Sequence, residues 1–197
     1  ANIVITPKTE GLALNYGGIN LGGVSYNVKE ISAEEVERIN SIENRANIKL
    51  VAPKTLGVVE TASQAVLMAG IDIDSELELK QWWQITGRAP QGAGEVLAGS
   101  RVAESMNLTP GSAIAVRGQE LPVLGVPAPT GPQADEILFA SVDTAQTILD
   151  KKGLYSIVEV SALCGDCPIG EIVSQIAGKI PGARVSAVQQ VVKSKMQ

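Results

Sequence analysis

Apolar and polar positions along this chain follow two rhythms, a period of two and a period near 3.6, and their order sets out the architecture. Asn2 to Thr6 is a strand-like run closed by Pro7. Ser32-Ala-Glu-Glu35 reads as a capping box, in which the Ser32 hydroxyl accepts from the Glu35 amide and Glu35 reaches back. Behind it, Val36, Ile39 and Ile42 repeat at helical spacing and predict a helix over about Ala33 to Asn44. Asn47 to Val51 predicts a strand ending at Pro53, which Gly57 to Thr61 continues after a turn. The end of the chain repeats this order. Tyr155 to Ala162 predicts a strand, and Pro168 to Ile180 a helix with Ile169, Ile172, Val173, Ile176 and Ile180 on one face. After the Pro181-Gly182 break, Ala183 to Val188 predicts a further strand.

Between these two strand–helix–strand units the texture changes. Ala65 to Asp72 is strand-like and ends in an Asp-rich turn. Glu76 to Thr86 reads as a strand, with Glu76 and Glu78 on one face and Trp82 and Trp83 on opposite faces. One tryptophan would then be core and the other a rim residue or a partner-docking aromatic. Val96 to Gly99 predicts a short strand and Ser100 to Met106 a short helix. A Pro110-Gly111 turn leads to two strands, Ala113 to Arg117 and Leu121 to Val126, joined by a hairpin centred on Gly118. Pro127 to Pro132 is a loose segment where the two halves are expected to flex. Ile137 to Ser141 predicts a strand, and Val142 to Asp150 a helix. The expectation is an α+β fold: a domain of two β-α-β units over 1–62 and 136–197, interrupted by an inserted β-rich domain over 63–135.

A length of 197 residues supports one large or two small domains, and 45% hydrophobic residues supply their cores. A net charge of −5 and an aromatic content of 3% argue against nucleic acid, which needs a concentrated basic surface and stacking side chains. The sequence contains no run of 18 apolar residues of the kind that spans a bilayer. It starts within a strand-like run and ends in the amphipathic stretch Ala187 to Gln197, so both ends read as cuts in a longer protein.

Candidate chemistry is sparse. The chain has no histidine, which removes the commonest general base and every imidazole-dependent triad. Its carboxylates are scattered without EF-hand spacing. Glycines 11, 17, 18, 22 and 23 crowd one segment, but their spacing lacks the Lys-Ser/Thr and helix start of a phosphate loop. A mobile hairpin or a projecting loop is the expectation there. Cys164-Gly-Asp-Cys167 lies in a turn between a predicted strand and a predicted helix. It admits a local disulfide or thiol pair, a metal or partner contact, or a redox centre. A zinc site would need two more ligands from a second chain or from carboxylates. A small redox or metal-binding module using Cys164 and Cys167 is therefore the alternative functional reading.

A succession of short motifs carries a resemblance. It comprises the opening Ala1-Asn-Ile-Val-Ile-Thr-Pro7, the Gly87-Arg88 after Trp82-Trp-Gln-Ile-Thr86, and Gly94-Glu-Val-Leu-Ala-Gly-Ser-Arg-Val-Ala103. Then come Leu108-Thr-Pro-Gly-Ser-Ala-Ile114, the strand ending at Gly125-Val126, and Ile137 to Leu149. In order and spacing these resemble the extracytoplasmic core domain of MacB-like and FtsX-like ABC transporter permeases. The resemblance implies a porter-like domain of two β-α-β units with an inserted sabre-like domain, and no catalytic residue or cofactor of its own. It also implies transmembrane helices on either side, a cytoplasmic ATP-binding subunit or domain, and a second permease copy. An extracytoplasmic adaptor or substrate would be engaged at the inserted domain's exposed face or at the loop holding Tyr16, Gly17, Gly18, Gly22 and Gly23.

Overall fold

The computed structural model describes residues 2–8, 13–16, 19–23, 30–163 and 168–188. Its frame is a four-stranded antiparallel sheet made from both ends of the chain. Strands β1 (Ile3–Pro7), β5 (Ile48–Glu60), β13 (Ile157–Ala162) and β14 (Ala183–Ala187) lie in the order β14-β1-β13-β5. The two β-α-β units interleave: β13 separates β1 from β5, and β1 separates β13 from β14. This is the split β-α-β arrangement. Helix α5 (Ile169–Lys179) puts Ile172 and Ile176 onto a core with Ile3, Ile5, Ile39, Val158 and Val160.

Helix α1 (Ala33–Glu37) starts at the predicted capping box, with Ser32 Oγ accepting from Glu35 N at 3.1 Å. It ends earlier than its periodicity suggests, tightening into a 3-10 turn over Arg38–Ser41 before Ile42 becomes extended. Asn40, Ser41 and Asn44 hold helices weakly because their side chains compete for backbone groups; the Ser41 hydroxyl does so, donating to Arg38 O. A two-residue strand, β4 (Ile31–Ser32), precedes α1 and pairs with β12 (Leu154–Tyr155). Strands β2 (Ala13–Tyr16) and β3 (Ile19–Gly23) form the expected hairpin.

Pro53 does not end a strand. β5 runs for 13 residues, and Pro53 sits opposite Val158, where β5 has a strand on one side only. A proline without an N–H is tolerated at such an edge position. From Thr55 onward β5 pairs with β6 (Ala65–Ile71), so its first half belongs to one sheet region and its second half to the next. Beyond β6 come β11 (Ile137–Ser141), β8 (Val96–Ala98), β10 (Gln119–Pro127) and β7 (Ile85–Gly87), with β9 (Ala113–Val116) folded back on β10. Among the described residues the result is one continuous sheet of ten strands.

The inserted half carries three helices. α2 (Ile73–Leu79) and Trp83 cover a cluster of Val4, Leu56, Ile71, Phe139 and Ile157 on one side of the sheet. α3 (Ser100–Met106) and α4 (Val142–Leu149) supply Val102, Ala145 and Leu149 to a second cluster, with Val59, Met68 and Leu138.

Two expectations are corrected, and the split between the tryptophans arises differently. Glu76 to Leu79 is helix, because Asp72 caps the turn by accepting from Ser75 N at 2.9 Å and Leu and Glu favour helix. Glu76 and Glu78 therefore point in different directions. Trp82 is 66% exposed and Trp83 packs edge-on against Phe139 at 5.0 Å, an in–out split produced by a turn after a helix. Pro127 to Pro132 does not lie between the halves: it joins β10 to β11, both in the inserted half, and Thr130 N donates to the buried Asp135 carboxylate. By strand pairing, β11 sits beside β6 and β8, and β13 beside β1 and β5.

Candidate functional site

Of the residues singled out from sequence, Tyr16, Gly22 and Gly23 lie in the β2–β3 hairpin, where Tyr16 pairs with Ile19 and Gly23 with Ala13. Gly17 and Gly18 lie outside the described residues, as do Cys164 and Cys167. Among the described residues no group of three or more His, Cys, Asp or Glu is placed to hold a metal ion.

The structure gathers charge at a place the sequence did not single out. Lys54 is the last residue of β5 that pairs with β13, facing Ile157. Its Nζ lies 3.0 Å from Glu76 Oε2 on α2 and 2.7 Å from Glu159 Oε1 on β13. Glu76 Oε1 in turn lies 2.8 Å from Lys80 Nζ, which stands 5.1 Å from the centre of the Trp83 ring. Positive and negative charges alternate along this chain, and the sum is zero. Lys54 and Glu76 are wholly buried, so their charges persist only by virtue of the partners in this chain. Burial pushes the Glu76 carboxyl up, but attraction to Lys54 and Lys80 and their hydrogen bonds outweigh it and hold it below the usual glutamate value. In sequence Lys54 is one of two lysines in this stretch and nothing sets it apart from Lys49.

A cleft of about 860 Å³ opens where parallel strands β6 and β11 end and α2 and α4 begin. The 90–94 loop walls one side, and Pro53 and Tyr155 reach it from the first sheet region. Asp72, Asp74 and Asp143 line it, and among the described residues no lysine or arginine does. Asp72 is used as a helix cap, and Thr144 Oγ1 accepts from Gly94 N at 3.1 Å. Burial, then the nearby Asp143 and Glu37, push the Tyr155 phenol up, so it stays neutral and can donate. These groups can accept and donate hydrogen bonds to a polar ligand.

The motif residues build the loop beside this cleft. Gly87 has φ +91, and a Cβ there would stand 2.3 Å from Leu124 O. Arg88 grips Glu95 with both terminal nitrogens, at 3.3 and 3.2 Å. Glu95 also accepts from Gln91 N and Gly92 N, at 2.8 and 3.0 Å, and these backbone donors with Arg88 hold its carboxyl down to about 2. A Cβ on Gly99 would meet Asp135 O at 2.4 Å, and one on Gly125 would meet Ile85 Cγ2 at 2.7 Å. The motifs therefore encode close backbone approaches, not reacting groups.

The family model described as "MacB-like periplasmic core domain" matches residues 1–195. The extracellular domain of the noncanonic ABC-type transporter YknZ from Gram-positive bacteria superposes with a TM-score of 0.64 at 12% identity, over 94% of this chain and 100% of that one. The periplasmic region of MacB from Actinobacillus actinomycetemcomitans superposes with a TM-score of 0.66 at 12% identity, over 94% of this chain and 88% of that one. At such identity the two structures establish the fold. No curated protein matches the chain in sequence.

Proposed function

Since the chain belongs to the MacB-like periplasmic core domain family, we propose that this extracytoplasmic domain of an ABC transporter permease is a mechanical, non-catalytic element. ATP is hydrolysed in a separate cytoplasmic nucleotide-binding subunit or domain, reached through membrane helices outside residues 1–197. Two permease copies act as a dimer, and their outer domains move to serve efflux, lipoprotein handling or signalling. The porter-like part comprises β1, β13, β14, α1, α5 and the first half of β5, and the sabre-like part the segment between the two halves of that sheet. The observation that carries a mechanical reading is β5 itself, one strand hydrogen-bonded into both parts. Displacement of the part nearer the membrane is thereby passed on without a linker.

Engagement of an extracytoplasmic adaptor or substrate is assigned to the hairpin of Tyr16 to Gly23 and to the exposed face of the inserted part. The test is the full-length permease with its ATP-binding partner, reconstituted in nanodiscs. Replacing residues 16–23 with a short turn is expected to leave basal ATPase activity in place and to abolish its stimulation by an adaptor or substrate. Normal stimulation in that variant would remove the hairpin from the proposal, and ATP turnover by the isolated chain would overturn the non-catalytic reading.

A further inference from the structure

The two parts share one strand, flanked by an apolar cluster that joins Val4 and Ile157 to Ile71 and Phe139, and such a crossing can behave as a hinge or as a splint. A bare strand with no side-chain bracing is a hinge, because twisting it costs little. Here the crossing is braced on the side chain that marks it. β5 changes partner between Lys54 and Thr55: Lys54 pairs with Ile157 of β13, Thr55 with Gly70 of β6. From Lys54 the charge chain reaches back to Glu159 in the porter-like part and forward to Glu76 in the inserted part. On the opposite face, Thr55 Oγ1 donates to Leu154 O at 2.7 Å and receives the Gln146 amide of α4 at 3.2 Å. Gln146 Nε2 also donates to Leu154 O, at 3.0 Å. Just behind, Lys151 Nζ lies 2.8 Å from Glu30 Oε1 and donates to Leu56 O at 3.0 Å.

We infer that the Glu159–Lys54–Glu76–Lys80 chain locks α2 across the strand crossing, so that the porter-like and sabre-like parts open and move as one cooperative body. Opening the crossing would pull Lys54 from Glu76, leaving Lys54 to Glu159 and Glu76 to Lys80, and would break the contact that completes the buried charge chain. That cost makes partial separation of the two parts far rarer than joint opening. The inference deepens the mechanical reading and rests on it for its purpose, but not for its test.

The test is native-state hydrogen exchange of the 197-residue chain in rising sub-denaturing urea, read by mass spectrometry. The slowest amides of β1 and β13 are expected to merge with those of β6 and β11 into one opening, with rates within about twofold of each other. In Lys54→Met/Glu76→Gln, which keeps the local charge balanced, the two sets are expected to part by tenfold or more. Arg88→Gln/Glu95→Gln, which removes an exposed pair, is expected to leave them merged. Separate openings in the unaltered chain would overturn the lock, as would merged openings in the Lys54/Glu76 variant. If that variant fails to fold, the unaltered chain alone decides. No ATP or membrane enters the measurement, so its failure leaves the family-based reading standing, and the ATPase test can fail without touching the lock.

Discussion

Lys54 and Glu76 meet at 3.0 Å with neither side chain exposed, one on a strand and the other on a short helix laid across it. Such a pair is not by itself a strong source of stability, since two desolvated charges cost nearly what their attraction returns. Removing one partner is a different matter. Lys54→Met is expected to lower stability by about 3–5 kcal/mol, because Glu76 and Glu159 lose the buried lysine between them. Adding Glu76→Leu should recover a large part of that loss. Urea unfolding of the single and double variants measures both steps, and a double variant no better than the single would contradict this account.

The same pair sets an acid limit. Glu76 has its folded pKa below the ordinary glutamate value of about 4.3. Its contribution is therefore complete above that value and disappears as pH falls through the lower, folded one. Acid unfolding followed by Trp83 fluorescence should show loss of stability beginning below about pH 4.3. Glu76→Gln should flatten that dependence. A variant with the unaltered slope would show that other carboxylates govern it.

Glu95 offers a local counterpart. Its carboxyl is held at about 2 by Gln91 N, Arg88 and Gly92 N. The 90–94 loop should keep its form as pH falls through the ordinary glutamate range and loosen only toward pH 2. Carbon-detected NMR titration reads this directly. Arg88→Ala should raise the Glu95 pKa only part of the way, because the two backbone donors remain. Titration at the ordinary value in the unaltered chain would refute the geometry.

The adjacent tryptophans should differ sharply. Trp83→Ala removes a ring that contacts Phe139 and Lys80 and is expected to cost about 3–5 kcal/mol, less whatever its partial exposure spares. Trp82→Ala is expected to stay within about 0.5 kcal/mol. Thermal melts of the two variants separate these cases, and equal losses would mean Trp82 packs as well.

Gly99→Ala tests whether the motif glycines are packing constraints. Its new methyl would be driven into the Asp135 carbonyl, with an expected loss of about 1–3 kcal/mol. Gly170→Ala, on an open face of α5, should be neutral or stabilising. Gly99→Ala melting with the parent would remove this explanation of the motif.

The interleaved β-α-β frame was readable because its helices expose their period: the Ile172 and Ile176 stripe and the Ser32 capping box both reappear in place. The order of the strands was not, since alternation says which residues form a strand and nothing about its neighbour. Pro53 misled because proline usually ends a central strand, and only the sheet's layout reveals that β5 is an edge there. Helix α2 was missed because seven residues span two turns, too few for a period to declare itself, while the Trp-Trp pair suggested a strand. The charge chain drew on residues 54, 76, 80 and 159, which are far apart in sequence and individually ordinary. The motif glycines were visible as a succession, yet their purpose needed distances such as Gly99 to Asp135.

Because β5 serves both parts, the inside and outside of each are written on a single alternating string of residues. Adding or deleting one residue near Lys54 would turn every later side chain of that strand over. Leu56 and Val59 would exchange faces, and each of the two clusters they fill would receive the other's residue. The two parts can therefore lengthen relative to each other at this strand only by even steps, while the loops at its ends are free of that arithmetic.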